Sequence, residues 1–235
     1  MRRFHAGPIR SVLVASPGDP ISGGADALLF DLGQAGAAGL EAVARRLRAR
    51  PGADGPLVVL KLAPLDDGGA EQLAALGPLR PDAVATTAAE TGADLQHLGA
   101  LLSVAEAAGG LDDGEISIVA VAETTASLFG LIGFAVATPR LAAIAWDGEA
   151  LGADFGDEEP RDADGRWSDP LQTARTLALA AAADAGLPAL DSPFSTRDSG
   201  AFRGEAERAR RDGFSGKISL DVNQAAIAQE TFAAR

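Results

Sequence analysis

Eight short runs of apolar residues, alternating with stretches of helical character, constrain this chain more than any other feature. The runs cover 11–15, 27–32, 57–62, 83–85, 116–121, 141–146, 188–190 and 217–220. They are continuous rather than alternating in polarity, the pattern of parallel strands buried on both faces. A parallel pair cannot be joined by a tight turn and needs a crossover, usually a helix. Segments of helical periodicity or composition fill most of the gaps, at 39–50, 70–76, 95–108, 125–137, 171–185 and 201–211, and 223–233 closes the chain with a short C-terminal helix. Gly77-Pro78 and Gly213 supply helix-stop chemistry. The first gap, 17–24, is too rich in Gly and Pro for a full helix. Two α/β architectures satisfy this alternation, a closed (β/α)8 barrel and a doubly wound open sheet. With 235 residues the chain suits one barrel domain over 1–235, and no internal repeat or linker divides it. The stretch 152–169, GADFGDEEPRDADGRWSD, is longer and more polar than an ordinary connection. It reads as a flexible acidic loop, either a flap or an insertion.

Composition removes several function classes. With 33 acidic against 20 basic residues the net charge is −13. That balance disfavours a nucleic-acid backbone, which is neutralised by Lys and Arg, and an anionic membrane surface. Without any Cys, thiolate chemistry and disulfides are excluded. The basic opening MRRFHAGPIR is not followed by an apolar segment of export type, and the uncharged stretch 124–138 is too short to span a bilayer. A cytoplasmic location is the expectation.

In parallel α/β architectures the chemistry collects where strands end. Those positions hold Asp31, Lys61, Thr86-Thr87, Glu123, Asp147, Glu149, Asp191 and Asp221. Such carboxylates either bind a divalent cation through oxygen or cap the helices that follow. Glu123 follows an apolar run directly and precedes Thr124-Thr125, so it is expected to face the mouth of a barrel. Lys61 and Lys217 are the only lysines, and both fall in or beside strands. A lysine in such a setting either loses its charge and forms a Schiff base or pairs with an acid such as Asp31 or Glu123. His5 lies in the N-terminal tail and His97 on a helix surface, and neither suits catalysis. Trp146 and Trp167 read as core or loop anchors. The sequence carries no GxSxG, Walker or HExxH motif.

Taken together, ordered segments resemble a known family, the citrate lyase β-subunit-like branch of the HpcH/HpaI aldolase superfamily. The matching pieces are Arg10-Ser11-Val12-Leu13 with SPGD at 16–19, GADALLFDL at 24–32, PDAV at 81–84 and AVAET at 120–124. They continue with PRLAAIAWDGEALGADFG at 139–156, Arg175, AGLPALD at 185–191, EAERARRDGFSGK at 205–217 and Gln224. The resemblance spans almost the whole chain and implies a single-domain (β/α)8 TIM barrel. It also implies Mg²⁺-dependent cleavage or formation of a carbon–carbon bond, with a small carboxylic acid or a CoA thioester as ligand. In that chemistry the metal chelates substrate oxygens and stabilises an enolate, while an Arg fork holds a carboxylate. Relatives of this kind assemble as trimers or hexamers, so a homo-oligomer or a paralogue partner is expected.

The resemblance carries over unevenly. The family's Glu metal ligand falls on Glu123, but its Asp ligand falls on Ala150, between the matching Glu149 and Leu151. The clamping Arg falls on Lys61 and the Asn two residues on falls on Ala63. Only the leading Asp of an acidic Asp-Leu-Glu-Asp motif persists, in Asp31-Leu32-Gly33-Gln34, and in a separate Pro-Lys-Val-Glu motif the Lys falls on Ala88, with Thr87 in place of the Pro and Glu90 retained. The late Ile-His-Pro falls on Leu220-Asp221-Val222. The expected site is therefore Lys61 and Asp31 as catalytic positions and Lys61, Arg10 and Thr87 as substrate contacts. Glu123 is the expected metal ligand, with Asp147 or Glu149 as a substitute second ligand. Scaffold segments persist while chemical positions change, which favours a divergent or catalytically silent homologue. The alternative is a working lyase with a rearranged metal site.

Overall fold

Strand pairing runs once around the molecule in chain order. The strands are β1 (Ser11–Ala15), β2 (Ala27–Asp31), β3 (Leu57–Lys61), β4 (Ala83–Thr86), β5 (Ser117–Ala122), β6 (Leu141–Trp146), β7 (Ala189–Asp191) and β8 (Gly216–Ser219). Each is parallel to its neighbours, and β8 returns to β1 through the pairs Ser11↔Lys217, Val12↔Ile218 and Leu13↔Ser219. The sheet is thus a closed barrel, which removes the unpaired edges an open sheet would leave. The computed structural model describes residues 7–19, 24–33, 35–50, 55–86 and 89–233.

Among the described residues eight α-helices surround the barrel: α1 (Ala37–Arg48), α2 (Ala70–Leu76), α3 (Gly92–Gly109), α4 (Thr125–Ala137), α5 (Gly148–Phe155), α6 (Asp169–Asp184), α7 (Ser199–Asp212) and α8 (Val222–Phe232). Strand positions agree with the apolar runs to within one residue at each end. Helix α3 starts three residues earlier than its apolar periodicity, because Thr91 and Asp94 form a reciprocal capping box at its N-terminus. Among the described residues no helix is long and apolar enough to cross a membrane.

Alternation along each strand divides the core in two. Val12, Leu29, Val59, Ala85, Val119 and Ile218 fill the barrel interior. Leu28, Phe30, Leu60, Val84, Ile118 and Trp146 face outward and pack beneath the helices.

The stretch at 152–169 corrects the expectation of an irregular flap. Its first residues belong to α5, which Asp147 caps through Glu149 N and Ala150 N and which Gly156 ends at φ 72°. Beyond the helix, Trp167 is buried and meets Trp146 edge-on, with ring centroids 5.2 Å apart. The Arg161 guanidinium lies 3.4 Å from the Trp167 ring centroid and pairs with Glu205 at 2.9 Å. Gly148 makes this packing possible, since a Cβ there would stand 2.5 Å from the Trp167 ring. Frequent glycines hid the helix, and the acidic composition hid its aromatic anchor.

At the N-terminal end of the barrel, arginines clamp the strand starts. Arg10 forks onto Asp26, Arg50 pairs with Asp82, and Arg140 forks onto Glu106. Glu106 is fully buried and also accepts from Gly114 N at 2.9 Å and Ile116 N at 2.6 Å. Burial alone would raise its pKa, but Arg140 and these amides outweigh that and hold it below the ordinary glutamate value.

Because the folded pKa is depressed, the stability Glu106 contributes is complete above the ordinary glutamate pKa and disappears as pH falls through the lower folded value. Glu106→Leu leaves Arg140 partly unpaired in the wall and is expected to cost about 3–5 kcal/mol. Urea denaturation at neutral pH measures that loss, and the penalty should shrink in acid.

Candidate functional site

Period-two alternation decides which strand-end residues enter the barrel mouth. Phe30, Leu60, Ala122 and Trp146 all point outward into the helix layer. The residues that follow them, Asp31, Lys61, Glu123 and Asp147, therefore turn inward at the C-terminal end. Register brings them into one ring. Asp31 and Lys61 are direct partners across β2 and β3, and Ala122 pairs with Trp146 across β5 and β6.

Lys61 organises this ring. Its Nζ lies 2.7 Å from Glu123 Oε1 and 3.1 Å from Asp31 Oδ2. The other Asp31 oxygen accepts from Gly33 N at 2.9 Å, which fixes the carboxylate toward the ammonium. Burial opposes the Lys61 charge, but attraction to Glu123 and then Asp31 outweighs it, so its pKa is raised. That direction runs against the neutral amine a Schiff base requires. Glu123 is itself pushed above the ordinary glutamate value, chiefly by burial, with Lys61 opposing and the charges of Asp147 and Asp31 adding to the rise.

The remaining expected site residues do not all converge. Asp147 points into the mouth but uses Oδ1 to accept from Glu149 N at 3.0 Å and Ala150 N at 3.2 Å. Glu149 turns toward Arg161, 3.6 Å from its Nε, and Ala150 occupies the first turn of α5 without a side-chain oxygen. Arg10 precedes β1 at the opposite end of the barrel, where Asp26 engages it. Thr87, Ala88, Gln34 and His5 lie outside the described residues. Among the described residues, no three His, Cys, Asp or Glu side chains are grouped so as to hold a metal ion.

Two other strand-end acids serve the scaffold. Asp221 caps α8 through Asn223 N and Gln224 N. Asp191 points outward to Lys217, its register partner on β8, at 3.0 Å. Lys217 is fully buried and also donates to Ser192 O at 2.6 Å and Glu205 Oε1 at 3.0 Å. Trp146 Nε1 and Arg175 Nε complete the shell of Asp191 at 2.9 and 3.1 Å. Burial would raise the Asp191 pKa, yet Lys217 and Arg175 hold it low. Lys217 stands out in the sequence as one of two lysines beside strands, whereas the place of Glu205 in a charged helical run gives no sign that it reaches the barrel wall.

A cleft of about 340 Å³ opens beside the mouth, between the ends of β3 and β4 and the start of α3. Leu62, Ala89 and Leu98 wall it, and Asp66, Asp94 and His97 stand among its lining. His97 is on the exposed side of α3, as its helical position predicts.

Comparison with known proteins matches residues 19–221 to the family model described as HpcH/HpaI aldolase/citrate lyase. An L-malyl-CoA/β-methylmalyl-CoA lyase of Cereibacter sphaeroides is 28% identical over 153 residues, covering 60% of this chain and 48% of that protein. The corresponding lyase of Rhodobacter capsulatus is 30% identical over 158 residues, with the same coverage of 60% and 48%. The chain thus spans about half the length of the curated relatives it matches. Among solved structures, RipC from Yersinia pestis is 26% identical with a TM-score of 0.75, covering 98% of this chain and 96% of that one. The citrate lyase β subunit from M. tuberculosis, solved with oxaloacetate and magnesium, shares the fold with a TM-score of 0.78 at 24% identity, covering 99% of both chains.

The ion cluster makes an observable prediction. The Glu123 carboxyl should titrate above the ordinary glutamate range by carbon-13 NMR, and Lys61→Met should move it higher still by removing the one charge that opposes the rise. Borohydride added with pyruvate should leave no adduct on Lys61 by mass spectrometry. A trapped adduct would establish a neutral amine.

Proposed function

The chain belongs to the HpcH/HpaI aldolase/citrate lyase family, and on that premise we propose that it is a divergent member that does not perform metal-dependent carbon–carbon cleavage. Its role under this reading is that of a binding subunit, for a small carboxylic acid or a CoA thioester, or for a paralogous partner. The observation that carries the reading is the double engagement of Lys61 with Glu123 and Asp31.

Structural neighbours of the family fold were solved with magnesium together with oxaloacetate, or with acetoacetate and coenzyme A. The donor set here does not fit that ion. Mg²⁺ demands near-octahedral oxygen ligands at about 2.0–2.1 Å and is held by one or two carboxylates beside its waters. Glu123 Oε1 already faces an ammonium at 2.7 Å, and Asp147 Oδ1 is committed to the α5 amides. Glu149 faces Arg161, and Ala150 offers no side-chain oxygen. A lysine also differs from the Arg fork it replaces, being a single point charge rather than a bidentate grip on a carboxylate. A ligand acid entering the mouth would compete with Glu123 and Asp31 for that one charge.

The second reading, a working lyase with a rearranged site, draws support from Asp147. Its carboxylate lies near enough to Glu123 to influence its titration, and only one of its oxygens is bonded to the helix. We also propose self-association or pairing with a paralogue, in the trimeric or hexameric manner implied by the resemblance. Helix α4 carries no charged residue and leaves Phe129, Ile132 and Val136 exposed by 71%, 74% and 90% along one face. Exposed apolar faces of this kind mark interaction surfaces.

Two measurements check these proposals. Malyl-CoA and citryl-CoA incubated with the protein and Mg²⁺ should release acetyl-CoA no faster than a chelated control, and metal-dependent release would establish the lyase reading. Light scattering after size exclusion should report an oligomer that Ile132→Asp shifts toward monomer without lowering the melting temperature. An unchanged mass would remove α4 from the interface.

A further inference from the structure

We propose that Lys61 acts as a tethered cation, keeping divalent ions out of the barrel mouth by occupying the position between carboxylates that such an ion would need. This deepens the non-lyase reading above and rests on it, because it names the residue that sets the mouth's ion specificity.

Three features of the wall place the ammonium there. Lys61 starts on β3 with Asp31 as its neighbour in register on β2, so one carboxylate is adjacent by construction. Glu123 follows β5, two strands away on the other side, and β4 stands between. The inward residue of β4 in register with Lys61 is Ala85, whose methyl group leaves space for the lysine stem to pass across to Glu123. The stem therefore starts on β3 and places its ammonium between Glu123 after β5, at 2.7 Å, and Asp31 of β2, at 3.1 Å. The side chain is only 22% exposed and that of Glu123 16%, so solvent screens the pair weakly.

Charge bookkeeping explains why this excludes a second cation. Asp31, Glu123 and Asp147 bring three carboxylates to the ring, and Lys61 is the one positive group among these four. A divalent ion bound to Glu123 would sit within a few ångströms of the ammonium and would have to displace it. The ammonium cannot diffuse away as a free counterion would, because its stem is covalently anchored in the wall. With its charge gone, the same ring would present unneutralised carboxylate oxygens of the kind hard cations select.

The probe is Mn²⁺, with free ion counted by electron paramagnetic resonance and binding confirmed by calorimetry. The wild-type chain should show no Glu123-dependent binding at millimolar ion, where weak oxygen sites of about 10⁻⁴–10⁻³ M would be visible. Lys61→Met, matched in length and uncharged, should tighten binding by at least about tenfold through loss of one unit of repulsion. Lys61→Met/Glu123→Gln should lose the gain. Lys61→Gln replaces Met if the melting curve shows a damaged wall. On the unaltered protein, Mn²⁺ should leave the nitrogen-15 resonance of Lys61 Nζ unbroadened. A folded Lys61→Met with binding no tighter than wild type overturns this inference while leaving the non-lyase reading in place. Glu123-dependent binding by the wild type, with the Lys61 resonance broadened, overturns both.

Discussion

Closure of the sheet is the constraint on which the rest depends. Once β8 pairs with β1, every strand has two neighbours, no edge remains, and each strand position is assigned to the interior or to the helix layer. The pleat then leaves no freedom at the strand ends: a residue following an outward Phe30, Leu60, Ala122 or Trp146 must turn inward. The chemistry of the mouth is set by that parity before any side-chain contact is made.

Charge is distributed unequally between the two ends of the barrel. At the start of the strands, Arg10, Arg50 and Arg140 each meet a carboxylate, and the fully buried Glu106 is satisfied by a guanidinium and two amides. At the finish of the strands, among the described residues, acids outnumber cations and Lys61 alone answers Asp31 and Glu123. A third group lies behind β7 and β8, where Lys217 and Arg175 surround Asp191 and Lys217 also reaches Glu205. Breaking such buried pairs by removing one partner is costly, and at the mouth Lys61 and Glu123 are also largely buried while Asp31 is the more exposed partner.

Much of the architecture was legible because parallel strands buried on both faces write themselves as continuous apolar runs. All eight strands, seven of the eight helices and the inward direction of Glu123 follow from that rule and from helix periodicity. Helix α5 is hard to see in the sequence because it is short and glycines at 148, 152 and 156 interrupt it, while Trp167, which requires Gly148, lies nineteen positions further along the chain. Glu149 is expected at the site from its place beside Ala150 and Arg10 from the resemblance, yet Glu149 turns toward Arg161 at 3.6 Å and Asp26 engages Arg10 at the other end of the barrel. Local spacing does not reveal such competition, because the competing partner comes from elsewhere in the chain.

Sequence by itself determined the number and parallel character of the strands, the acidic balance, and the singular placement of two lysines in apolar surroundings. It also showed that the position beside Leu151 holds Ala150, with no oxygen in its side chain. The resemblance implied a closed barrel, and the pairing of β8 with β1 agrees; tertiary structure alone decided that one lysine joins Asp31 to Glu123 while the other is sealed behind β8 against Asp191 and Glu205. The physical reason is that an ion pair is a matter of a few ångströms, whereas Lys61 and Glu123 stand far apart in the chain, and only register around a closed barrel sets the distance between them.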